Sequence, residues 1–167
     1  VNLDNDTRVG LTRVILLVED SIKYYSRYLS MLYQIILEQT KRLIEDVNSD
    51  EMYKVLKLRT RPKSVLVSSY EEATSFINKY KDYLLLLISD LQFNKNGKLD
   101  SNAGFDLVRY AKKELPNLPT IIQSSNPDNA EQTYKLKANF INKNSQTLLQ
   151  DLKSFINSHL GFGHFVY

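Results

Sequence analysis

Five polar side chains stand at the ends of short apolar runs and could do chemistry together. They are the acidic pair Glu19 and Asp20, the carboxylate of Asp90, the hydroxyl of Ser124 and the amine of Lys143. Carboxylates that share one crevice raise one another's pKa unless a cation joins them, and oxygen-only ligands favour Mg²⁺. A carboxylate can also attack a phosphoryl group, whose oxygens a hydroxyl and an amine could then bind. These residue types therefore favour Mg²⁺-assisted phosphoryl chemistry, provided that the fold brings them together.

Five apolar, β-rich runs alternate with amphipathic segments, and these elements must position the polar residues. The predicted strands are Val14–Val18, Ser64–Ser68, Tyr83–Ser89, Pro119–Gln123 and Ala138–Asn142. The predicted helices run from Ile22 to about Asn48, from the cap Ser69 to about Tyr80, and over Ala103–Glu114, Asp128–Lys137 and Ser145–His159. Continuous apolar runs that alternate with helices are typical of a parallel sheet covered on both faces. Ligands of such sheets bind outside the carboxyl ends of the strands, so the sequence predicts an α/β fold with all five polar residues in one pocket.

Composition limits the size, chemistry and environment of the chain. Its 167 residues suit one domain, and the lack of cysteine excludes disulfide scaffolds, thiol catalysis and cysteine-bound metals. A net charge of +3 gives no reason to expect a nucleic-acid partner. The longest uncharged apolar stretch, Tyr83–Ile88, is too short to cross a membrane, and no signal peptide is visible. We expect a cytoplasmic chain with no membrane partner, and both of its ends read as cuts from a longer polypeptide.

Five short motifs carry a family resemblance. They are VILLVED at Val14–Asp20, LLLLISD at Leu84–Asp90, AGFDLVR at Ala103–Arg109, LPTIIQSS at Leu118–Ser125 and ANFINKN at Ala138–Asn144. Their order and spacing resemble the receiver domain of two-component response regulators. The resemblance implies a flavodoxin-like three-layer (βα)5 sandwich with a parallel five-stranded sheet in the order 2-1-3-4-5. Residues 1–12 are then a loose lead-in, 13–160 the receiver-like domain, and 161–167 the start of a linker to a missing downstream region.

The resemblance also implies a metal site. Glu19 and Asp20 match the acidic pair that holds Mg²⁺ in this family, and Asp90 matches the phosphoacceptor beside it. Gln92, two residues further on, matches the position whose backbone carbonyl completes the metal shell. Mg²⁺ is therefore the expected cofactor.

The remaining matches concern the phosphoryl group and the switch that it drives. Ser124 matches the switch hydroxyl, and Lys143 matches the lysine that contacts the phosphoryl group. Phe140 matches the aromatic side chain that changes rotamer on phosphorylation. The implied phosphoryl donor is a histidine kinase or a phosphotransfer protein.

Three departures from the family pattern stand out. Asn144 replaces the proline that usually follows the lysine. Asp90 and Gly104 are fourteen positions apart, several more than is usual in the family. The extra residues form an extended loop at 94–102, with turn chemistry at Asn94–Gly97. This loop lies beside the phosphorylation site and could cover it. A second insertion, at about 39–63, separates the first helix from the second strand. These departures leave the metal and phosphoryl residues in place but alter the surfaces that partners would meet.

The leading hypothesis is a phosphoacceptor receiver domain in which Mg²⁺-dependent phosphorylation of Asp90 switches an interaction surface. The switched surface would act on an output domain, on the same chain or on a partner protein. Whether the domain forms a homodimer is left open by the sequence. The alternative is a receiver-like interaction module that does not use phosphate, at the N-terminal side of a larger multidomain enzyme. A third hypothesis, a hydrolase of the aspartyl-phosphate type, lacks the second acid of a D-x-D pattern because residue 92 is Gln. We do not expect a dedicated enzyme.

Overall fold

A central parallel sheet organises the molecule. A computed structural model describes residues 3–8, 12–46 and 62–159. The main sheet contains β1 (Val14–Val18), β2 (Lys63–Val67), β3 (Leu84–Asp90), β6 (Thr120–Ser124) and β7 (Asn139–Asn142), and a separate two-stranded hairpin contains β4 (Phe93–Lys95) and β5 (Lys98–Asp100). All neighbours in the main sheet pair in parallel, in the order β2-β1-β3-β6-β7. This is the predicted 2-1-3-4-5 order, since β6 and β7 are the fourth and fifth strands of the main sheet.

Helices cover both faces of the sheet. They are α1 (Leu3–Arg8), α2 (Ile22–Asp46), α3 (Tyr70–Tyr80), α4 (Ala103–Glu114), α5 (Ala130–Lys135) and α6 (Leu148–His159), with a 3₁₀ turn at Pro127–Asn129 before α5. Residues Ile15 and Leu17 of β1 pack with α2 and α6 on one face. Residues Leu16 and Val18 pack with α3 and α4 on the other face. Because successive side chains of a strand point to opposite faces, a fully apolar β1 is what a three-layer α/β sandwich needs.

The predicted strands and helices are present, but several of them begin or end at other residues than predicted. Asp90 and Ser124 are the last residues of β3 and β6 rather than the first residues after them. The closing helix begins at Leu148 instead of Ser145, because the Ser145 hydroxyl accepts a hydrogen bond from the backbone N–H of Thr147 and holds a turn there. Helix α2 ends at Asp46, so it includes the first part of the insertion predicted at 39–63, and residues 47–61 lie outside the described part of the chain.

Two predictions are wrong in detail. Part of the segment expected to be a loose lead-in forms α1, and Asp4 on that helix accepts a 2.6 Å hydrogen bond from the Tyr80 hydroxyl of α3. The helix expected at Asp128–Lys137 is a 3₁₀ turn followed by the six-residue α5, and Lys137 has a left-handed φ of 60° that ends it. A side-chain contact distant in sequence explains the first error, and backbone geometry explains the second.

The extended loop predicted at 94–102 is largely the hairpin of β4 and β5. Asn96 and Gly97 form its tip with φ values of 54° and 77°, as the predicted turn chemistry requires. Phe93 at its base is fully buried in the core on the α3 and α4 face. None of the helices within residues 3–8, 12–46 and 62–159 combines the length and the hydrophobicity of a membrane-spanning segment.

Candidate functional site

A polar cleft of about 580 Å³ lies at the carboxyl ends of the sheet strands. The strands end level with one another: Val18 is opposite Ser89, and Asp90 is opposite Gln123. The side chains that close these strands therefore meet at one edge. All five polar residues singled out from the sequence line the cleft, namely Glu19, Asp20, Asp90, Ser124 and Lys143.

Three carboxylates converge at the bottom of the cleft. Glu19, Asp20 and Asp90 each offer a carboxylate oxygen within 4.8 Å of the other two. Glu19 is 1% exposed and Asp90 8% exposed, whereas Asp20 faces solvent. This arrangement of two buried acids and one open acid leaves an approach for a ligand from the solvent side.

Glu19 is held by three partners and titrates abnormally. Its Oε1 accepts a hydrogen bond from the Ser21 backbone N–H at 3.0 Å, and its Oε2 accepts one from Gln123 Nε2 at 2.9 Å. The Lys143 Nζ lies 3.1 Å from the same Oε2. Burial, followed by the negative charge of Asp90, raises the pKa of Glu19 to about 7. The carboxyl thus sits at the border between its neutral and charged forms near neutral pH.

Lys143 binds both buried carboxylates. Its Nζ donates to Asp90 Oδ2 at 2.7 Å and lies 4.3 Å from the centre of the Tyr24 ring. Burial alone would lower the pKa of Lys143, but the hydrogen bonds and charges of Asp90 and Glu19 outweigh it and raise the pKa. Lys143 therefore remains a cation that partly offsets the acidic cluster.

Backbone packing fixes the position of Asp90. Its Oδ1 accepts a 2.7 Å hydrogen bond from the Leu91 backbone N–H. The start of α4 lies directly against this turn, and Gly104 N–H donates to the Leu91 carbonyl at 2.9 Å. A Cβ at position 104 would lie 2.3 Å from the Asp90 carbonyl oxygen, so only glycine fits there. In the sequence, Gly104 entered only as part of the motif at Ala103–Arg109 and as the end point of the loop length, and its contact with Asp90 became visible in the structure.

Ser124 and Gln92 reach the cleft, and Phe140 lies elsewhere. Ser124 is largely buried, and its Oγ accepts hydrogen bonds from the turn that follows β6. Gln92 is exposed at the rim. Phe140 is half-buried on β7 opposite Ile122 and is not part of the cleft lining formed by the described residues. The metal-shell role of Gln92 and the switching roles of Ser124 and Phe140 stay predictions.

Asn144, the residue that follows Lys143, takes part in the turn after β7. Its backbone N–H, a donor that proline lacks, bonds to Asn142 Oδ1 at 2.9 Å. Its side-chain Oδ1 accepts a hydrogen bond from the Tyr24 hydroxyl at 3.3 Å. Asn144 therefore adds polar contacts next to Lys143, which lines the cleft.

The hairpin of residues 93–100 and the two residues that follow it contribute to one side of the cleft. Leu99, Ser101 and Asn102 line the cleft, and Leu99 is 58% exposed. The hairpin is tethered by a bridge between Ser69 and Asn94 and by the ion pair of Lys95 with Asp106 at 2.8 Å. The extra residues thus lie beside Asp90, where the sequence places them, and leave the cleft open.

Sequence reasoning missed several polar residues of the cleft or its surroundings. Gln123, the last residue of the strand predicted at Pro119–Gln123, was assigned only to that strand, yet its amide contacts Glu19. Tyr24, Asn126 and Asn129 lie in a helix and a turn whose approach to the cleft depends on tertiary packing. The available indication for Tyr24, Asn126 and Asn129 was their position, within about six residues after a strand whose end carries a candidate residue.

The donor set fits a magnesium ion. The three clustered side chains offer only carboxylate oxygens, which are the ligands of a hard divalent cation. A cation among them would also offset the burial and the Asp90 charge that raise the pKa of Glu19.

Comparisons with known proteins agree with the fold. No protein-family model matches the chain, and the search of curated proteins finds no relative. Among solved structures, the chain is similar to a response regulator receiver domain protein from Clostridium thermocellum, with a TM-score of 0.63, 18% identity, and coverage of 93% of this chain and 99% of that chain. It is also similar to the phosphorylated cyanobacterial phytochrome response regulator RcpA, with a TM-score of 0.57, 19% identity, and coverage of 89% and 94%. The chain therefore has the fold of response regulator receiver domains.

Proposed function

We propose that this chain is a phosphoacceptor receiver domain in which Asp90 takes up a phosphoryl group in the presence of Mg²⁺. The observation that carries the proposal is the convergence of Glu19, Asp20 and Asp90, with Lys143 Nζ 2.7 Å from Asp90, on a receiver fold. A buried acid, paired with a lysine and next to two more acids, is costly for stability alone. A role in binding a cation and a phosphoryl group gives a reason for it.

The metal would be held by the carboxylates of Glu19, Asp20 and Asp90 and by the backbone carbonyl of Gln92. Mg²⁺ bound there supplies positive charge that neutralises the cleft and polarises the phosphoryl group of the donor. The exposed Asp20 is the ligand that an incoming hydrated ion meets first.

The transfer itself needs a nucleophile and a place for the added charge. A carboxylate oxygen of Asp90 attacks phosphorus, the new O–P bond forms, and the bond between phosphorus and the donor atom breaks. Lys143 Nζ then pairs with a phosphoryl oxygen, and the Ser124 hydroxyl donates to another. The donor would be a histidine kinase or a phosphotransfer protein.

The switch would act on the surface around β6 and β7. Movement of the Ser124 hydroxyl towards the phosphoryl group leaves space into which the half-buried Phe140 ring turns. An output domain, on the same chain or on another protein, would bind one of the two states in preference. The chain takes part in its own phosphorylation but serves as a signalling module rather than a dedicated enzyme.

One feature favours the alternative of an interaction module that does not use phosphate. The hairpin brings the exposed Leu99 to the rim of an otherwise polar cleft, where a donor protein must approach. An assay of Asp90 phosphorylation by a small-molecule donor distinguishes the two hypotheses, because only a receiver domain needs to accept a phosphoryl group.

The test is intact-mass spectrometry after incubation with Mg²⁺ and acetyl phosphate. We expect one acid-stable, hydroxylamine-labile phosphoryl group on the wild type, none on Asp90→Asn, and one on Asp128→Asn. Asp128 is the matched control because it is an exposed aspartate in the turn next to the cleft. Titration calorimetry with Mg²⁺ on the wild type and Asp20→Asn accompanies the assay. A wild type that gains no phosphoryl group contradicts the proposal and favours the phosphate-independent module.

A further inference from the structure

The hydroxyl of Ser124 is held by the turn that follows β6. Its Oγ accepts a hydrogen bond from the Asn126 backbone N–H at 3.2 Å and another from Asn129 Nδ2 at 3.0 Å. A serine hydroxyl has two acceptor lone pairs, so both are occupied by this turn. Movement of Ser124 out of this position breaks both bonds.

Asn129 contacts Ser124 with its side chain and does not cap the helix that follows. It is the residue before α5, a position where asparagine normally caps the helix with its side chain. Here, within the described part of the chain, the side chain makes no capping bond and points to Ser124 instead. The helix start is served by the preceding 3₁₀ turn.

Further hydrogen bonds hold Asn129 in position within the turn. Asn126 Oδ1 accepts from the Asp128 backbone N–H at 2.9 Å, and Asn129 N–H donates to the Asn126 carbonyl at 3.2 Å. The fully buried Thr133 donates its hydroxyl to the Asn129 carbonyl at 2.8 Å. Asn129 is thus fixed on both sides while its amide reaches the cleft.

We propose that Asn129 is a positioning residue that holds Ser124 in the unphosphorylated arrangement and so sets how readily the domain switches. The inference rests on the proposed function, in which Ser124 moves to donate to a phosphoryl oxygen. That movement exchanges the Asn129 bond for the new one, so the bond lowers the apparent affinity of the cleft for a phosphoryl group. A net contribution of about 1 kcal/mol for one hydrogen bond corresponds to roughly a fivefold change in affinity.

The test uses Mg²⁺ with beryllofluoride, a stable mimic of the phosphoryl group, on the full chain by titration calorimetry. Asn129→Ala removes the bond, so we expect beryllofluoride to bind roughly fivefold more tightly. Asn129→Asp replaces the donor by a charged acceptor, to which the Ser124 hydroxyl donates a hydrogen bond. We therefore expect beryllofluoride to bind more weakly. A structural role alone would move both variants in the same direction.

Two controls separate the contact from its surroundings. Asn126→Asp adds the same charge to the same turn and keeps both the backbone donor to Ser124 and the acceptor for Asp128 N–H. It therefore measures the charge contribution that must be subtracted from Asn129→Asp. In a Ser124→Ala background, Asn129→Ala has no hydroxyl to release, so its effect should vanish.

The outcomes distinguish the inference from the function on which it rests. If the wild type binds beryllofluoride and Asn129→Ala binds it equally or less tightly, the inference is overturned and the proposed function stands. The inference is likewise overturned if the effect of Asn129→Ala persists without the Ser124 hydroxyl. If the wild type neither binds beryllofluoride nor accepts a phosphoryl group from acetyl phosphate, both fail together.

Discussion

The cleft floor and the hairpin that walls the cleft are held in different ways. The floor, formed by Glu19, Asp90 and Lys143, is almost completely buried, and its charges contact one another at 2.7 and 3.1 Å. The hairpin, residues 93–100, reaches into solvent and is tethered by the buried Phe93, a short bridge, a hydrogen bond from the Asn96 N–H to Glu71 and a partly exposed ion pair. Interactions between the buried charges of the floor are therefore strong, and loss of one partner is costly. Water screens the charges of the hairpin. We expect the hairpin to vary without disturbing the floor, and substitutions in each region test that separation.

Loss of the lysine should have the largest effect. Lys143→Met leaves two buried carboxylates without a cation, so we expect the free energy of unfolding without Mg²⁺ to fall by about 3 kcal/mol. Added Mg²⁺ should restore part of that loss. Lys153→Met is the matched control, because Lys153 pairs with Glu38 at 3.0 Å in a partly exposed position, and its loss should cost below about 1 kcal/mol. Urea unfolding in EDTA measures both, and equal losses would contradict the comparison.

The stability of the floor should depend on pH with a defined sign. The pKa of Glu19 is raised from 4.5 to about 7 by burial and by Asp90, so the folded state holds this proton more tightly than the unfolded chain. Its contribution is complete below about pH 4.5 and is lost as the pH rises to about 7, at up to ~1.4 kcal/mol per pH unit.

Comparison with Glu19→Gln isolates that contribution. Without Mg²⁺, the wild type should lose stability relative to the variant between about pH 4.5 and 7, and saturating Mg²⁺ should reduce the difference because it favours the charged carboxylate. Urea unfolding across this pH range measures it. Parallel curves for the two proteins would show that Glu19 does not titrate in this way.

Gly97 and Gly104 should respond differently to substitution by alanine. Gly104→Ala forces a methyl group against the Asp90 carbonyl, so we expect a loss of about 2 kcal/mol and poorer Mg²⁺ binding. Gly97→Ala meets open space and strains only the hairpin tip at φ +77°, with a loss of about 1 kcal/mol and unchanged Mg²⁺ binding. Thermal unfolding and Mg²⁺ titration test this pair of variants. Weakened Mg²⁺ binding in Gly97→Ala would show that the hairpin affects the floor, contrary to the comparison.

The smallest effect should come from the tether of the hairpin. Lys95 pairs with Asp106 at 2.8 Å, and its Nζ lies 4.5 Å from the centre of the Tyr70 ring. Both contacts are partly exposed, so Lys95→Met should cost below about 1 kcal/mol. Amide hydrogen exchange should accelerate in residues 94–99 and stay unchanged in β3. Faster exchange in β3 would mean that the hairpin supports the sheet.

Much of the fold could be predicted because the sheet strands are short, apolar and regularly spaced. The buried run Val14–Val18 needs helices on both faces, whatever surrounds it. The hairpin was predicted only as a turn, since each of its strands has three residues and pairs with no strand of the main sheet. Helix α1 escaped prediction because six residues carry little periodicity and depend on a contact with Tyr80, 76 positions away from Asp4.

The sequence by itself determined which chemical groups end the strands, and therefore that Glu19, Asp20, Asp90, Ser124 and Lys143 could share one cleft. Level strand ends in a parallel sheet bring such residues together wherever the loops run. Only the tertiary structure decided how the groups are connected: that Lys143 bridges two acids, that burial raises the pKa of Glu19, and that Asn129 reaches Ser124. The physical reason is that residue type and strand position are local properties. Burial and hydrogen-bond partners depend on which distant segments pack against each side chain.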